Sequence, residues 1–188
     1  MNQRELSTTV TSLSITVASC SDKGRVRGHN EDAIALCDPP DQLRAQQLGR
    51  LYLLADGAGG HAAGEVASRI AVETISTVYY HQAAPLEPLE DLAQLPTSSQ
   101  SPLNTACIRL QQAFLTAHAR IRQIANLKEE WAGMATTCLA AVVQGKRVLI
   151  AHVGDSRAYL IRSLGGLLPA VTRLTTDHSL AMELARAG

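Results

Sequence analysis

Two apolar runs, 135–143 and 147–153, are separated only by Gln144-Gly145-Lys146, and three residues are too few for the crossover that parallel neighbours need. The runs must therefore pair antiparallel across a tight turn. Residues 158–162 and 171–174 form two further strand-like runs, with Gly165-Gly166 between them. Nearer the start, 15–19, 33–37 and 51–55 read as short strands bounded by turn formers. Two helical patterns stand together in the middle of the chain. Val66, Ile70, Thr74 and Val78 recur every four residues with no breaker before Pro85, and Cys107, Leu110, Phe114, Ala117, Ile121 and Ile124 recur at spacings of three and four. Strands following directly on strands, with the helices grouped, predict an α+β fold with helices against an antiparallel sheet or sandwich. Four prolines and a Ser/Thr/Gln cluster make 84–103 an exposed loop. Thr176-Asp177-His178-Ser179 offers N-cap chemistry for a last helix over 180–186.

A length of 188 residues fits one domain, read as a polar segment over 1–12 followed by a folded unit over 13–188. Lys plus Arg and Asp plus Glu number 17 each, so no overall basic field favours nucleic acid or an anionic membrane as partner. Aromatic residues are only 3% against a hydrophobic share of 46%. The core must therefore come from Ala, Val, Ile and Leu. Cys20, Cys37, Cys107 and Cys138 form no C-x-x-C pair, and three of them sit in apolar runs, which argues against a zinc or disulfide framework. The first eleven residues lack the basic start and apolar run of a secretory signal, and no run is long enough to span a bilayer. The expectation is a soluble cytoplasmic protein, monomeric by default.

Three charged segments sit at the ends of these strands. The first, 21–32, reads Ser-Asp-Lys-Gly-Arg-Val-Arg-Gly-His-Asn-Glu-Asp and runs directly into a strand; alone it would pass for a solvated turn. In the second, the strand 51–55 delivers Asp56, followed by Gly57-Ala58-Gly59-Gly60 and then His61-Ala62-Ala63-Gly64-Glu65. An aspartate ending a buried strand is a rigidly aimed oxygen ligand, and glycine lets the next carbonyl turn toward the same ion. Asp56 as a simple cap of the turn explains that segment equally well. Residues 57–62 also match the G-x-G-x-x-A dinucleotide fingerprint. Against that reading stand the lack of a βαβ repeat and a carboxylate placed where a pyrophosphate would be repelled. The third segment, His152-Val153-Gly154-Asp155-Ser156-Arg157, is a charged turn between apolar strands.

Together, SDKGRVRGHNED, LADGAGGHAAGEVAS, AHVGDSRAYL and LTTDHSL resemble, in order and spacing, the bacterial metal-dependent protein phosphatases of the phosphatase 2C type. The resemblance implies an antiparallel β-sandwich flanked by helix pairs, four layers in the order αββα. It implies two Mn²⁺ or Mg²⁺ ions, and attack of a dimetal-bound water on phosphoserine or phosphothreonine in a protein substrate. By the same resemblance Asp56 bridges the metals, Glu31 and the Gly57 carbonyl hold one of them, and Asp32 orients the water. Arg27 forks the phosphate, His61 protonates the leaving oxygen, and Asp155 contributes to a third, weaker metal or serves only the turn. Asp177 and His178 are expected to be structural, and Trp131 to be a packing residue.

Ala58 and Ala135 stand where the bacterial family usually has methionine and glycine. The family continues past the segment corresponding to Asp177-His178 into further strands that supply more metal aspartates, whereas this sequence stops at Gly188. The sequence reading therefore expects a C-terminally truncated phosphatase, and as an alternative a weak or inactive phosphopeptide-binding module.

Overall fold

The computed structural model describes residues 14–25, 28–39, 41–59, 63–81, 102–163 and 168–178. The elements run β1 (Asp32–Cys37), α1 (Gln42–Leu48), β2 (Arg50–Ala58), α2 (Ala63–His81), α3 (Pro102–Ala125), a single 3-10 turn (Glu129–Trp131), β3 (Ala135–Thr136), β4 (Cys138–Gln144), β5 (Arg147–Val153), β6 (Tyr159–Arg162) and β7 (Ala170–Arg173). One antiparallel sheet has the order β1-β2-β4-β5 with β3 also on β2, and β6 pairs with β7 as a separate ribbon. The expected α+β architecture is present. Its helices α2 and α3 cover one face of the larger sheet. On the opposite face Leu36, Leu54 and Val148 are exposed, and among the described residues no second helix layer lies there.

Strand alternation explains the two faces. In β2, Leu51, Leu53, Ala55 and Gly57 are buried while the residues between them are not, the period-2 pattern of a sheet covered on one side. Cys138, Ala140 and Val142 continue the buried row on β4. Onto this row pack Ala71, Ile75 and Tyr79 of α2 with Ala106, Leu110 and Ala113 of α3. Small side chains at the contact allow helix and sheet to approach closely, so α2 buries Ala67 and Ala71 more deeply than Val66 and Val78, two members of the stripe read from sequence.

The 144–146 turn is tighter than its three residues suggest. Gln144 pairs with Arg147, which leaves Gly145-Lys146 as a two-residue loop, and Gly145 takes the positive φ of 58° that such loops demand. Two expectations need correction. Residues 15–19 form no strand: only Ile15 is half-buried, and the segment has no ladder partner among the described residues. The helix after the proline-rich stretch begins at Pro102, inside the expected loop. Proline is tolerated there because a first-turn N–H has no intrahelical partner. The sequence reading passed over α1, although Asp41 caps it by accepting from the Arg44 N–H at 2.7 Å and Gly49 closes it at φ 74°. The four cysteines are free thiols, and burial pushes Cys138 up to about 12.

The C-terminal end of α2 is tied down from three sides. Arg44 and Arg109 donate to the carbonyls of Tyr80 and Tyr79 at 2.6 and 3.0 Å, satisfying groups that the helix itself leaves open. The Tyr79 hydroxyl donates to Leu48 O at 2.6 Å. The Tyr80 hydroxyl accepts from Leu51 N at 2.9 Å and sits 3.0 Å from Gly49 O. Burial keeps both phenols well above the ordinary tyrosine range, so they serve as neutral donors.

At the other end α2 meets β2 backbone to backbone. A Cβ on Gly57 would lie 2.1 Å from Gly64 O, and one on Gly64 would lie 2.9 Å from both Gly57 C and the Glu31 carboxyl carbon. Glycine to alanine within a helix ordinarily stabilises by about 1 kcal/mol. Here Gly64→Ala is expected to destabilise instead, by about 1–3 kcal/mol, because overpacking wins. Urea unfolding measures it, and a gain in stability would contradict the contact. Tyr80→Phe removes the hydroxyl that accepts from the N–H of fully buried Leu51 and lies against the Cys37 and Gly49 carbonyls, and it is expected to cost about 1–3 kcal/mol in the same assay.

Candidate functional site

The charged segments found in the sequence meet where β1 begins and β2 ends. Asp32 pairs with Asp56 across the antiparallel ladder. Gly57 N donates to Glu31 O at 3.1 Å, so the bonded pair is Glu31 with Gly57. The Asp32–Asp56 pair is then the non-bonded kind, in which side chains stand closer. Both aspartates fall on the face away from α2, since Ala55 and Gly57 take the buried positions. Like charges directly opposite each other repel, so the fold places two carboxylates where a cation would relieve them.

Each backbone at this corner is fixed by neighbours. The buried hydroxyl of Ser68, one turn into α2 from Gly64, donates to Glu31 O at 2.6 Å. The Glu31 carboxylate lies against Gly64 in the first turn of α2, where the helix dipole favours negative charge. Asp32 accepts from the Ser21 hydroxyl at 2.8 Å and receives support at its own N–H from Asn30 at 3.0 Å; Asn30 in turn donates to Ser21. Gly64 and Ser68 were missed by sequence reasoning. Their signal was two small residues four apart on a helix directly after the glycine turn.

Residues Arg27 and His61 lie outside the described residues. Asp155 is exposed in the turn between β5 and β6, and it does not join Glu31, Asp32 and Asp56 as one ligand cluster. Among the described residues no group of three or more His, Cys, Asp or Glu could by itself hold a metal ion. The donors that the ladder brings to this corner are all oxygens: Glu31 against the first turn of α2, Asp32 and Asp56 on the other face of the sheet, and the Gly57 carbonyl. Such a set fits Mg²⁺ or Mn²⁺, which are held by one or two carboxylates and keep several waters, better than a soft ion needing His or Cys.

The β5–β6 turn is itself anchored. Asp177 takes a two-pronged contact from Arg157, at 2.6 Å to Oδ2, and a second guanidinium from Arg173 at 2.6 Å. These hydrogen bonds, those from Arg157 above all, hold its carboxyl below the usual range. His178 N donates to Gly154 O at 3.0 Å, and its ring stacks on His152 with centroids 4.5 Å apart. Burial, with the neighbouring His178 ring adding to it, lowers the His152 pKa. Asp177 and His178 brace this turn; the helix expected after them lies outside the described residues. Trp131 packs, half-buried, beside the cluster of Ala63, Ala67, Ile70 and Met134, with Lys128 over its ring at 4.1 Å.

The sequence model of the family described as Protein phosphatase 2C matches residues 25–180. The serine/threonine phosphatase stp of Listeria innocua is 34% identical over 168 residues, which are 89% of this chain and 56% of that protein. The crystal structure of Stp1 from Staphylococcus aureus superposes with a TM-score of 0.64 at 31% identity, covering 90% of this chain and 56% of the other. The catalytic domain of PstP, solved in complex with two manganese ions, gives 0.62 at 31% identity over 91% of this chain and 59% of that one. The chain spans little more than half the length of these relatives. No helix among the described residues is long and apolar enough to cross a membrane. A family match over most of the chain, agreeing with the fold and with the segments that meet at the β1–β2 corner, places this protein in the protein phosphatase 2C family.

Proposed function

We propose that the protein is a metal-dependent protein serine/threonine phosphatase whose metals sit at the β1–β2 corner. The observation that carries this is the placement of Glu31, Asp56 and Gly57, oxygen donors only, at one end of the β1–β2 ladder, where the Gly57–Glu31 backbone hydrogen bond joins the two strands, in a chain of this family. Two bound Mn²⁺ or Mg²⁺ ions would supply the positive charge that activates water and offsets the phosphate dianion.

The chain's own residues divide the remaining work. Asp56, Glu31 and the Gly57 carbonyl would hold the metals, Asp56 contributing to both and Glu31 with the Gly57 carbonyl to one. Asp32, held by Ser21, orients the attacking water by accepting one of its protons. Arg27 grips two phosphate oxygens with its planar fork, a directional contact that lysine cannot copy. His61 gives its proton to the departing serine or threonine oxygen. Asp155, one residue from the Ser156 brace, is assigned to the turn, with a weaker metal contact as its second role. The substrate class is a phosphorylated protein, and neither nucleic acid nor membrane is assigned as partner.

Hydrolysis of a phosphothreonine peptide by the purified chain, with Mn²⁺ or with chelator, tests this reading. Turnover is expected only with metal, and Asp56→Asn is expected to lower it at least about 100-fold, the upper range seen even for groups that merely support a ligand. Turnover unaffected by chelator or by that substitution would contradict it. Phosphopeptide binding without turnover would favour the binding-module reading.

A further inference from the structure

We propose that Thr137, backed by Ser156, is the positioning residue for Asp56. The inference rests on the reading of Asp56 as a metal ligand and explains what holds it in place. Counting from Leu54–Leu139 and Gly57–Thr136, Asp56 falls opposite Thr137. In a bonded antiparallel pair the two residues exchange both N–H to carbonyl bonds. Here only half of that exchange occurs. Thr137 N donates to Asp56 O at 2.9 Å, but Asp56 N donates to the Thr137 hydroxyl, Oγ1, at 3.1 Å and not to its carbonyl. The Thr137 carbonyl instead takes the Thr136 hydroxyl at 2.8 Å, and that same hydroxyl lies 3.0 Å from Asp56 O. A side chain has replaced the backbone at the one ladder step that carries the proposed bridging ligand, and there the strand divides into β3 and β4.

The hydroxyl has a second partner. Thr137 Oγ1, which accepts from the Asp56 N–H, lies 2.7 Å from Ser156 Oγ, a hydrogen bond in which either hydroxyl can be the donor. Gly154 permits the approach: its φ is 97°, and a Cβ there would lie 2.8 Å from the Thr137 methyl. From behind, the strap 174–178 fixes the residues on either side of Ser156, Gly154 and Ala158. Leu174 N donates to Ala158 O at 2.8 Å, Ala158 N to the Thr175 hydroxyl at 3.0 Å, and His178 N to Gly154 O at 3.0 Å. Support therefore runs from the strap through the Gly-Asp-Ser-Arg turn and Thr137 to the backbone of Asp56. This gives that turn a role that does not depend on Asp155 binding metal.

The test compares the full chain with Thr137→Val, Thr137→Ser, Ser156→Ala and Asp56→Asn, measuring Mn²⁺ affinity by titration calorimetry and the melting temperature without metal. Thr137→Val keeps the shape and removes the hydroxyl, so Mn²⁺ affinity should fall about 10-fold, as for other groups that orient a ligand. Thr137→Ser should restore it to within about 2-fold, and Ser156→Ala should weaken it in the same direction. Exchange of the Asp56 amide proton should quicken in Thr137→Val and not in Thr137→Ser. A lower melting temperature in Thr137→Val with unchanged Mn²⁺ affinity would make the role purely structural and overturn the proposal. If Thr137→Val fails to fold, wild-type Mn²⁺ affinity in Ser156→Ala overturns it equally. Asp56→Asn separates the two ideas: Mn²⁺ affinity indifferent to that substitution removes Asp56 as a ligand, and the proposal falls with it.

Discussion

A helix cannot approach a strand end within backbone contact unless neither presents a side chain, and that requirement, met by Gly57 and Gly64, governs the rest of the structure. It brings the first turn of α2 onto β2 just beyond Asp56. It lets Ser68 reach the Glu31 carbonyl, and it sets the Glu31 carboxylate against the positive end of a helix. The same closeness continues along α2, where Ala67, Ala71 and Ile75 fill the interface. Core packing and the geometry of the candidate site are thus one arrangement.

The sheet then sorts roles by parity. Residues of β2 that face α2 are apolar or glycine, and the next residue, Asp56, turns to the other side beside Asp32. Burying a carboxylate among the helices would cost several kcal/mol without a partner, whereas on the open face it remains available to a hydrated cation. One element therefore supplies both a hydrophobic wall and the proposed ligand, at adjacent positions of the strand. The ladder on its far side carries the compensation: threonine hydroxyls at 136 and 137 take over hydrogen bonds that a regular strand would make with its backbone.

Much of this was legible in the sequence because it is local. The run 51–55 with its glycine turn, the stripe from Leu110 to Ile124, and the hairpin at Gly145 are periodicities or turn signals that need no tertiary context. Asp56 and Gly57 were legible as a ligand pair because an aspartate ends a buried strand beside glycine, although a turn cap explained them equally well; Glu31 stood out only through the resemblance to the phosphatase 2C family. What escaped was contact between distant segments. Ser68 and Thr137 look like ordinary small residues until the chain brings them to Glu31 and Asp56. The segment 15–19 showed alternation, but alternation states only that a strand could form, not that a neighbour exists to pair with it. The helix α1 carries its Asp41 cap and Gly49 stop in the sequence, but seven residues are too few for a periodic apolar stripe to mark it.

The central claim is that Asp56 and the Gly57 carbonyl hold a divalent cation at the β1–β2 corner. Crystals of the protein grown with Mn²⁺, measured at a wavelength where manganese scatters anomalously, test it directly. The account predicts an anomalous peak about 2 Å from an Asp56 carboxylate oxygen and from Gly57 O. A well-ordered corner without that peak, or manganese bound only at other residues, would contradict it.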